Sequence, residues 1–179
     1  PWLPNCRPNR MCSNRSGKMA WTFGSAFALA ILAQTGLAQE VTREFRGVWV
    51  ATVANIDWPS KPDLPDHQQQ EEFRTLLDLH RRNGINAILL QIRPAADAFY
   101  PSSLEPWSEW LVPAGRPPGY DPLAFCIREA HARGMELHAW FNPYRARFNA
   151  MDSVAPHPQS VDAQHPDWLV TYGKNKYLN

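Results

Sequence analysis

The chain has 179 residues, enough for one sizeable core, with 18 basic and 17 acidic residues and a formal charge of +1. Four of the basic residues, Arg7, Arg10, Arg15 and Lys18, lie in a leading stretch of 38 residues that holds no acid, so the rest carries 14 basic against 17 acidic residues, a net of −3. No basic patch is left to argue for nucleic acid, and three cysteines without a CxxC pair give neither a disulfide framework nor a cysteine metal site.

In chain order, residues 1–10 read as upstream read-through and residues 11–38 as a secretory signal peptide. The segment Met19 to Ala33 is apolar and alanine-rich, Arg15 and Lys18 precede it, and small residues stand at the −3 and −1 positions of a cut after Ala38. The apolar run is shorter than the roughly 20 residues a bilayer span needs, so no stable transmembrane anchor is expected. A buried N-terminal helix is the alternative. Export to the periplasm or the outside follows from the signal-peptide reading, and residues 39–179 are the expected mature part.

The mature part repeats one theme. Phe45 to Val53 reads as a strand because Val48, Val50, Thr52 and Val53 are β-prone, with Trp49 between them. A loop rich in Pro and Asp, Asn55 to Gln69, leads to a helix expected from about Gln70 to Asn83, with Phe73, Leu76, Leu77 and His80 on one face. Gly84 is placed to end it. Ala87 to Ile92 is almost continuously apolar, as a parallel strand covered on both faces should be. The next loop, Arg93 to Tyr120, holds six prolines and cannot be helical throughout. Asp121-Pro122 is an N-cap followed by proline at the first helical position, and the helix runs to Arg133 with Cys126 expected to pack as a small hydrophobe. Gly134 ends it, and Glu136 to Phe141 is the third strand. Trp168 to Tyr172 is a short strand or part of an extended loop.

Alternation of strand, loop, helix and strand implies parallel βαβ units. The long loops follow strands, and in a (β/α) barrel that asymmetry marks the functional face. The fold class expected is α/β, the N-terminal portion of a (β/α)8 barrel that is incomplete in this chain, since a whole barrel needs about 250 residues and Gln39 to Asn179 supplies 141.

The strand ends carry the candidate chemistry. Asn55, Asp57 and Trp58 follow the first strand, and Arg93 and Asp97 follow the second, with Glu105, Trp107, Glu109 and Trp110 farther along its loop. His138, Trp140, Asn142, Tyr144 and Arg145 lie on or just beyond the third. Aromatic faces can cover the C–H faces of sugar rings, while Asp, Asn and Arg can take hydroxyls. Each residue also has a plainer reading. Asp57 is equally a turn residue, and Arg93 with Asp97 forms an internal ion pair, since a charge ending an apolar strand needs a partner. Glu105 and Glu109 are either an acid/base pair or solvated. His138 lacks a second histidine at ligand spacing and reads as a core or pocket histidine, so neither a metal nor another cofactor is expected. The substrate-binding set is therefore Asp57, Trp58, Arg93, Asp97, His138, Trp140, Asn142, Tyr144 and Arg145, and no catalytic carboxyl pair is assignable.

Several blocks in order, Phe45-Arg46-Gly47-Val48-Trp49-Val50, Asn55-Ile56-Asp57-Trp58-Pro59, Gln91-Ile92-Arg93-Pro94-Ala95-Ala96-Asp97-Ala98, Pro118-Gly119-Tyr120-Asp121-Pro122 and His138-Ala139-Trp140-Phe141-Asn142-Pro143-Tyr144-Arg145, resemble the N-terminal part of the glycosyl-hydrolase-10-like family of exported bacterial proteins. The resemblance implies a (β/α)8 barrel acting on glycans, with peptidoglycan glycan strands as the substrate class. It also implies that the catalytic carboxylates follow a fourth strand, beyond Asn179, with Tyr177-Leu178-Asn179 leading into the next helix and strand. Two functions remain open: carboxylate general acid/base hydrolysis of glycosidic bonds, or a non-catalytic glycan-binding barrel with Trp58, Trp107, Trp110 and Trp140 as stacking platforms.

Overall fold

The computed structural model describes residues 44–113, 116–149 and 156–179. The expected read-through segment, signal peptide and cleavage site lie outside them. Among the described residues no helix is long and apolar enough to cross a membrane.

Three parallel strands form the main sheet: β1 (Gly47–Val50), β2 (Ala87–Arg93) and β3 (Glu136–Phe141), side by side in chain order. Helix α1 (Asp66–Arg82) connects the first two and α2 (Pro122–Ala132) the last two. This is the strand–helix repeat of a (β/α) barrel, and the sheet is open.

Strand parity decides what is covered. Val48, Ile88 and Leu137 share one register row, and Val50 and Leu90 occupy the next row on that face. This face packs against Phe73 and Leu77 of α1 and Phe125, Cys126 and Ala130 of α2 in one apolar cluster. The opposite face carries Trp49, Leu89, His138, Gln91 and Trp140. Trp49 lies on this second face, which a closed barrel turns inward, and is 59% exposed in the open sheet, while the loop residue Trp58 is sealed in the core at 1%.

Both helices end in the same way. Gly84 (φ 77°) and Gly134 (φ 69°) take left-handed backbone, and the following amides, Ile85 N and Met135 N, reach back to His80 O (3.1 Å) and Ala130 O (3.0 Å). These are the 6→1 bonds of a Schellman end, which a glycine makes without a Cβ penalty. Helix α2 begins as expected, with Asp121 Oδ1 accepting from Ala124 N at 3.0 Å and Pro122 in the first turn.

Three features differ from expectation. Helix α1 starts at Asp66, right after Pro65, not near Gln70. Its first inward residue is Gln69, fully buried and polar, so the apolar periodicity misses that turn. Gln69 Nε2 donates to Leu64 O and Leu111 O (both 2.9 Å), its Oε1 accepts from Tyr120 Oη (2.9 Å), and its carbonyl accepts from Trp58 Nε1 (2.8 Å). Strand β1 stops at Val50, short of Val53, because the chain turns into a 3-10 segment, Val53–Asn55, with Ala54 and Asn55 in left-handed backbone. Beyond Asn142, a second, antiparallel sheet pairs β4 (Arg145–Arg147), β6 (Asn175–Leu178) and β5 (Leu169–Tyr172), with a short helix α3 (Val161–Gln164) before it closes. Tyr177 and Leu178 therefore belong to a hairpin strand. Gly173 (φ 59°) sits in the turn of this hairpin, and β6 also pairs with β4 about 30 residues earlier, a link that local residue pattern could not show.

The end of β1 is held by Gln91. Its Oε1 accepts from both Thr52 N and Val53 N (3.0 Å each), and Thr52 Oγ1 donates to Gln91 O (2.9 Å). All three residues are buried. Gln91→Leu leaves two buried amides without an acceptor, at about 1–3 kcal/mol apiece. Urea unfolding is expected to show a loss of about 2–4 kcal/mol; an unchanged midpoint would contradict this role.

Candidate functional site at the strand ends

Parallel pairing places the carboxyl ends of β1, β2 and β3 at one edge, and the long loops all leave from it. A bulge shifts the β2–β3 register between Gln91–Trp140 and Arg93–Phe141, so β2 carries one extra residue before Arg93.

Arg93 is the centre of this edge. Its Nε donates to both Glu105 carboxylate oxygens (2.8 and 2.9 Å), Nη2 also bonds Glu105, and Nη1 donates to Asn142 O (2.6 Å). The expected Arg93–Asp97 pair is not formed. Ala96 takes left-handed backbone (φ 51°) and folds the loop back, so that Asp97 Oδ1 accepts from Ala95 N at 2.8 Å, and the partner of Arg93 comes from farther along the same loop. Glu105 is thereby committed to an ion pair and is not half of a free acid/base pair with Glu109.

Asn142 completes the clasp. Its N–H donates to Arg93 O (3.0 Å), its Nδ2 to Pro94 O (3.0 Å), and its Oδ1 accepts from Trp140 Nε1 (3.2 Å). Trp140 stands edge-on to Trp49 at 4.8 Å. Arg93, Trp140 and Asn142 are therefore brought together as the residue pattern predicts, and Tyr144 stands next to them in the chain, 68% exposed.

The other predicted residues separate from this group. Asp57 Oδ2 accepts from Ala51 N (2.7 Å), so it acts as the turn residue that folds the first loop. Trp58 is buried against Phe73 and Phe99 and offers no face to a ligand. His138 is exposed on the open face of β3, 2.9 Å from Glu136 Oε2. Arg145 packs over the Phe148 ring at 5.4 Å.

A cleft of about 620 Å³, including its open mouth, lies between the second and third loops. Asp97, Trp107, Glu109, Arg147, His157 and Asp162 line it. Arg147 Nη1 donates to Asp162 Oδ2 at 3.3 Å. His157, Asp162 and Phe148 escape detection from sequence because they lie past the third strand, where no periodicity marks an element. Asp97 is the notable acid: burial pushes its carboxyl up to about 6, aided by the negative charges of Glu109 and Glu105, while hydrogen bonds from Ser108 and Ala95 pull the other way. No group of three or more His, Cys, Asp or Glu arranged to hold a metal occurs among the described residues.

Repeated βα units with aromatic and polar groups gathered at the carboxyl edge define a protein of the (β/α)-barrel class, a class in which ligands are met at the strand ends. The sequence model of one family, Glycosyl hydrolase-like 10, matches residues 44–179, and the chain belongs to that family. It is 51% identical over 138 residues to the glycosyl hydrolase YngK of Bacillus subtilis (strain 168), covering 76% of this chain and 27% of that protein. It is 40% identical over 157 residues to the glycosyl hydrolase DigH of Escherichia coli (strain K12), covering 79% of this chain and 36% of that protein. The chain thus spans about a quarter to a third of the length of these curated relatives.

The raised Asp97 carboxyl has a stability consequence. Between its unfolded value of 3.8 and about 6 the native state holds more protons than the unfolded state, so stability falls as pH rises through this window. Relative to Asp97→Asn, which has no such ionisation, the wild-type protein is expected to lose up to about 3 kcal/mol between pH 4 and pH 7 in denaturant titrations. A pH-independent difference between the two proteins would contradict the assignment.

Proposed function

We propose that the full-length protein is an exported glycoside hydrolase that acts on polysaccharide, with peptidoglycan glycan strands as its substrate, by general acid/base hydrolysis of glycosidic bonds. The observation that carries this reading is the grouping of Trp140, Asn142 and exposed Tyr144 at the carboxyl edge of the sheet, in a chain related over most of its length to proteins named glycosyl hydrolases. A ring face beside amide and phenol groups matches a pyranose, with its apolar C–H face and its hydroxyl rim.

In this reading these strands hold the substrate, and the acid and base come from elsewhere in the protein. Three of the mouth carboxylates already have structural work: Asp57 takes a backbone amide, Asp97 takes the Ala95 amide, and Glu105 takes Arg93. The same commitment supports a second reading, a glycan-binding barrel without catalysis, in which Trp107 and Trp140 are the stacking platforms.

The test is reducing-end release from purified glycan strands by the full-length protein. Release is expected, and Tyr144→Ala, at an exposed position with no folding cost, should lower kcat/KM about tenfold, equivalent to 1.4 kcal/mol. Asp97→Asn and Glu109→Gln should retain measurable turnover, and loss of all turnover in either would move the acid or base into this cleft. Binding of strands without any release supports the second reading, and neither binding nor release overturns both.

A further inference from the structure

We propose that Arg145 and Trp110 form a subsite for a carboxylate carried on the glycan; the inference rests on the glycan reading above and deepens it. Two N–H donors in this part of the mouth, Trp110 Nε1 and Arg145 Nε, are buried and have no hydrogen-bond partner among the described residues. Both side chains pack on one ring: the Trp110 and Phe148 centroids are 6.4 Å apart, and the Arg145 guanidinium carbon lies 5.4 Å from the Phe148 centroid.

Arg145 stands apart from its peers. Of the half-buried arginines among the described residues, Arg74, Arg93, Arg133 and Arg147 each have a carboxylate partner, and Arg145 has none. The contact with Phe148 uses the positive charge but supplies no acceptor to an N–H. A guanidinium fork held in place with its donors unanswered matches a carboxylate, whose two oxygens it can take together. The indole N–H adds one more donor near the same ring.

The position suits a ligand that crosses the mouth. Arg145 opens β4, three residues past Asn142. Trp110 O accepts from Asn55 Nδ2 (2.8 Å), which also donates to Pro59 O (2.9 Å). Loops from all three parallel strands therefore meet at Trp110 and Phe148. A neutral sugar would satisfy the indole, but the unpaired charge selects an acidic one.

The test measures calorimetric affinity of the full-length protein for two acidic oligosaccharides, one containing N-acetylmuramic acid with its lactyl carboxylate free, the other containing glucuronic acid. Each is compared with the same oligosaccharide after reduction of its carboxyl groups to alcohols. Reduction is expected to weaken binding by the wild-type protein about 10- to 100-fold for at least one of the two, and the arm that responds identifies the carboxylate source. Arg145→Gln should bind the acidic and reduced forms equally, and Trp110→Phe, which keeps a ring but removes the N–H, should lose several-fold on the acidic form only. Equal wild-type affinity for acidic and reduced forms, a preference that survives in Arg145→Gln, or no binding to any of the four overturns the subsite. Reducing-end release followed in parallel shows separately whether the hydrolase reading stands: strands cleaved without any carboxylate preference sink the subsite and leave the hydrolase.

Discussion

Arg93 is the constraint on which the mouth depends. An apolar strand that ends in a guanidinium has to pair the charge, because burial without a partner is costly. Arg93 does so by drawing Glu105 in from the second loop and by donating to the carbonyl of Asn142 in the third. Asn142 answers with bonds to Arg93 O and Pro94 O and orients Trp140 through its indole N–H. One charged side chain thus sets two loops against each other and fixes the tryptophan between them. The remaining loop is tied in by Gln91 at the end of β1 and by Asn55 on Trp110. Trp140 is held by the Asn142 side chain, itself bonded to the backbone of Pro94, which favours a site formed before its ligand arrives.

The same edge divides its acids by task. Asp57 and Asp97 shape turns, and Glu105 neutralises an arginine. Arg145, half-buried against Phe148, is the half-buried arginine left without a carboxylate among the described residues. An edge where Asp57, Asp97 and Glu105 serve the fold and a half-buried guanidinium has no carboxylate fits the proposal that these strands hold an acidic glycan while the acid and base come from elsewhere in the protein. That division agrees with a protein whose relatives are three to four times longer than the stretch they share with it.

The βαβαβ core was legible in the residues for identifiable reasons. Strand β2 is a near-continuous apolar run, and β3 follows a helix closed by an N-cap Asp and a C′ glycine. The alternation that turns Val48 and Val50 to the helices and Trp49 to the opposite face was also present in the sequence. Polar groups doing core work were harder to read. Gln69 hides the first turn of α1, and Glu105 is a loop acid whose partner lies 12 residues back. The antiparallel sheet β4–β6–β5 joins Arg145–Arg147 to residues some 30 positions later, a pairing no local pattern reports. Within the site, Trp140, Asn142 and Arg93 were recognisable because they end strands, whereas Trp58 and Asp57 carried the same residue chemistry and turned out to serve the fold.

The central claim is that glycan lies along the carboxyl edge of β1, β2 and β3. A crystal structure of the full-length protein with a bound glycan oligosaccharide tests it most directly. The account requires a sugar ring on the face of Trp140, with hydroxyls in hydrogen-bond reach of Tyr144 or the Asn142 side chain. A saccharide seated instead at the opposite edge, beside Gly84 and Gly134, or along the outer face of α1, would contradict it.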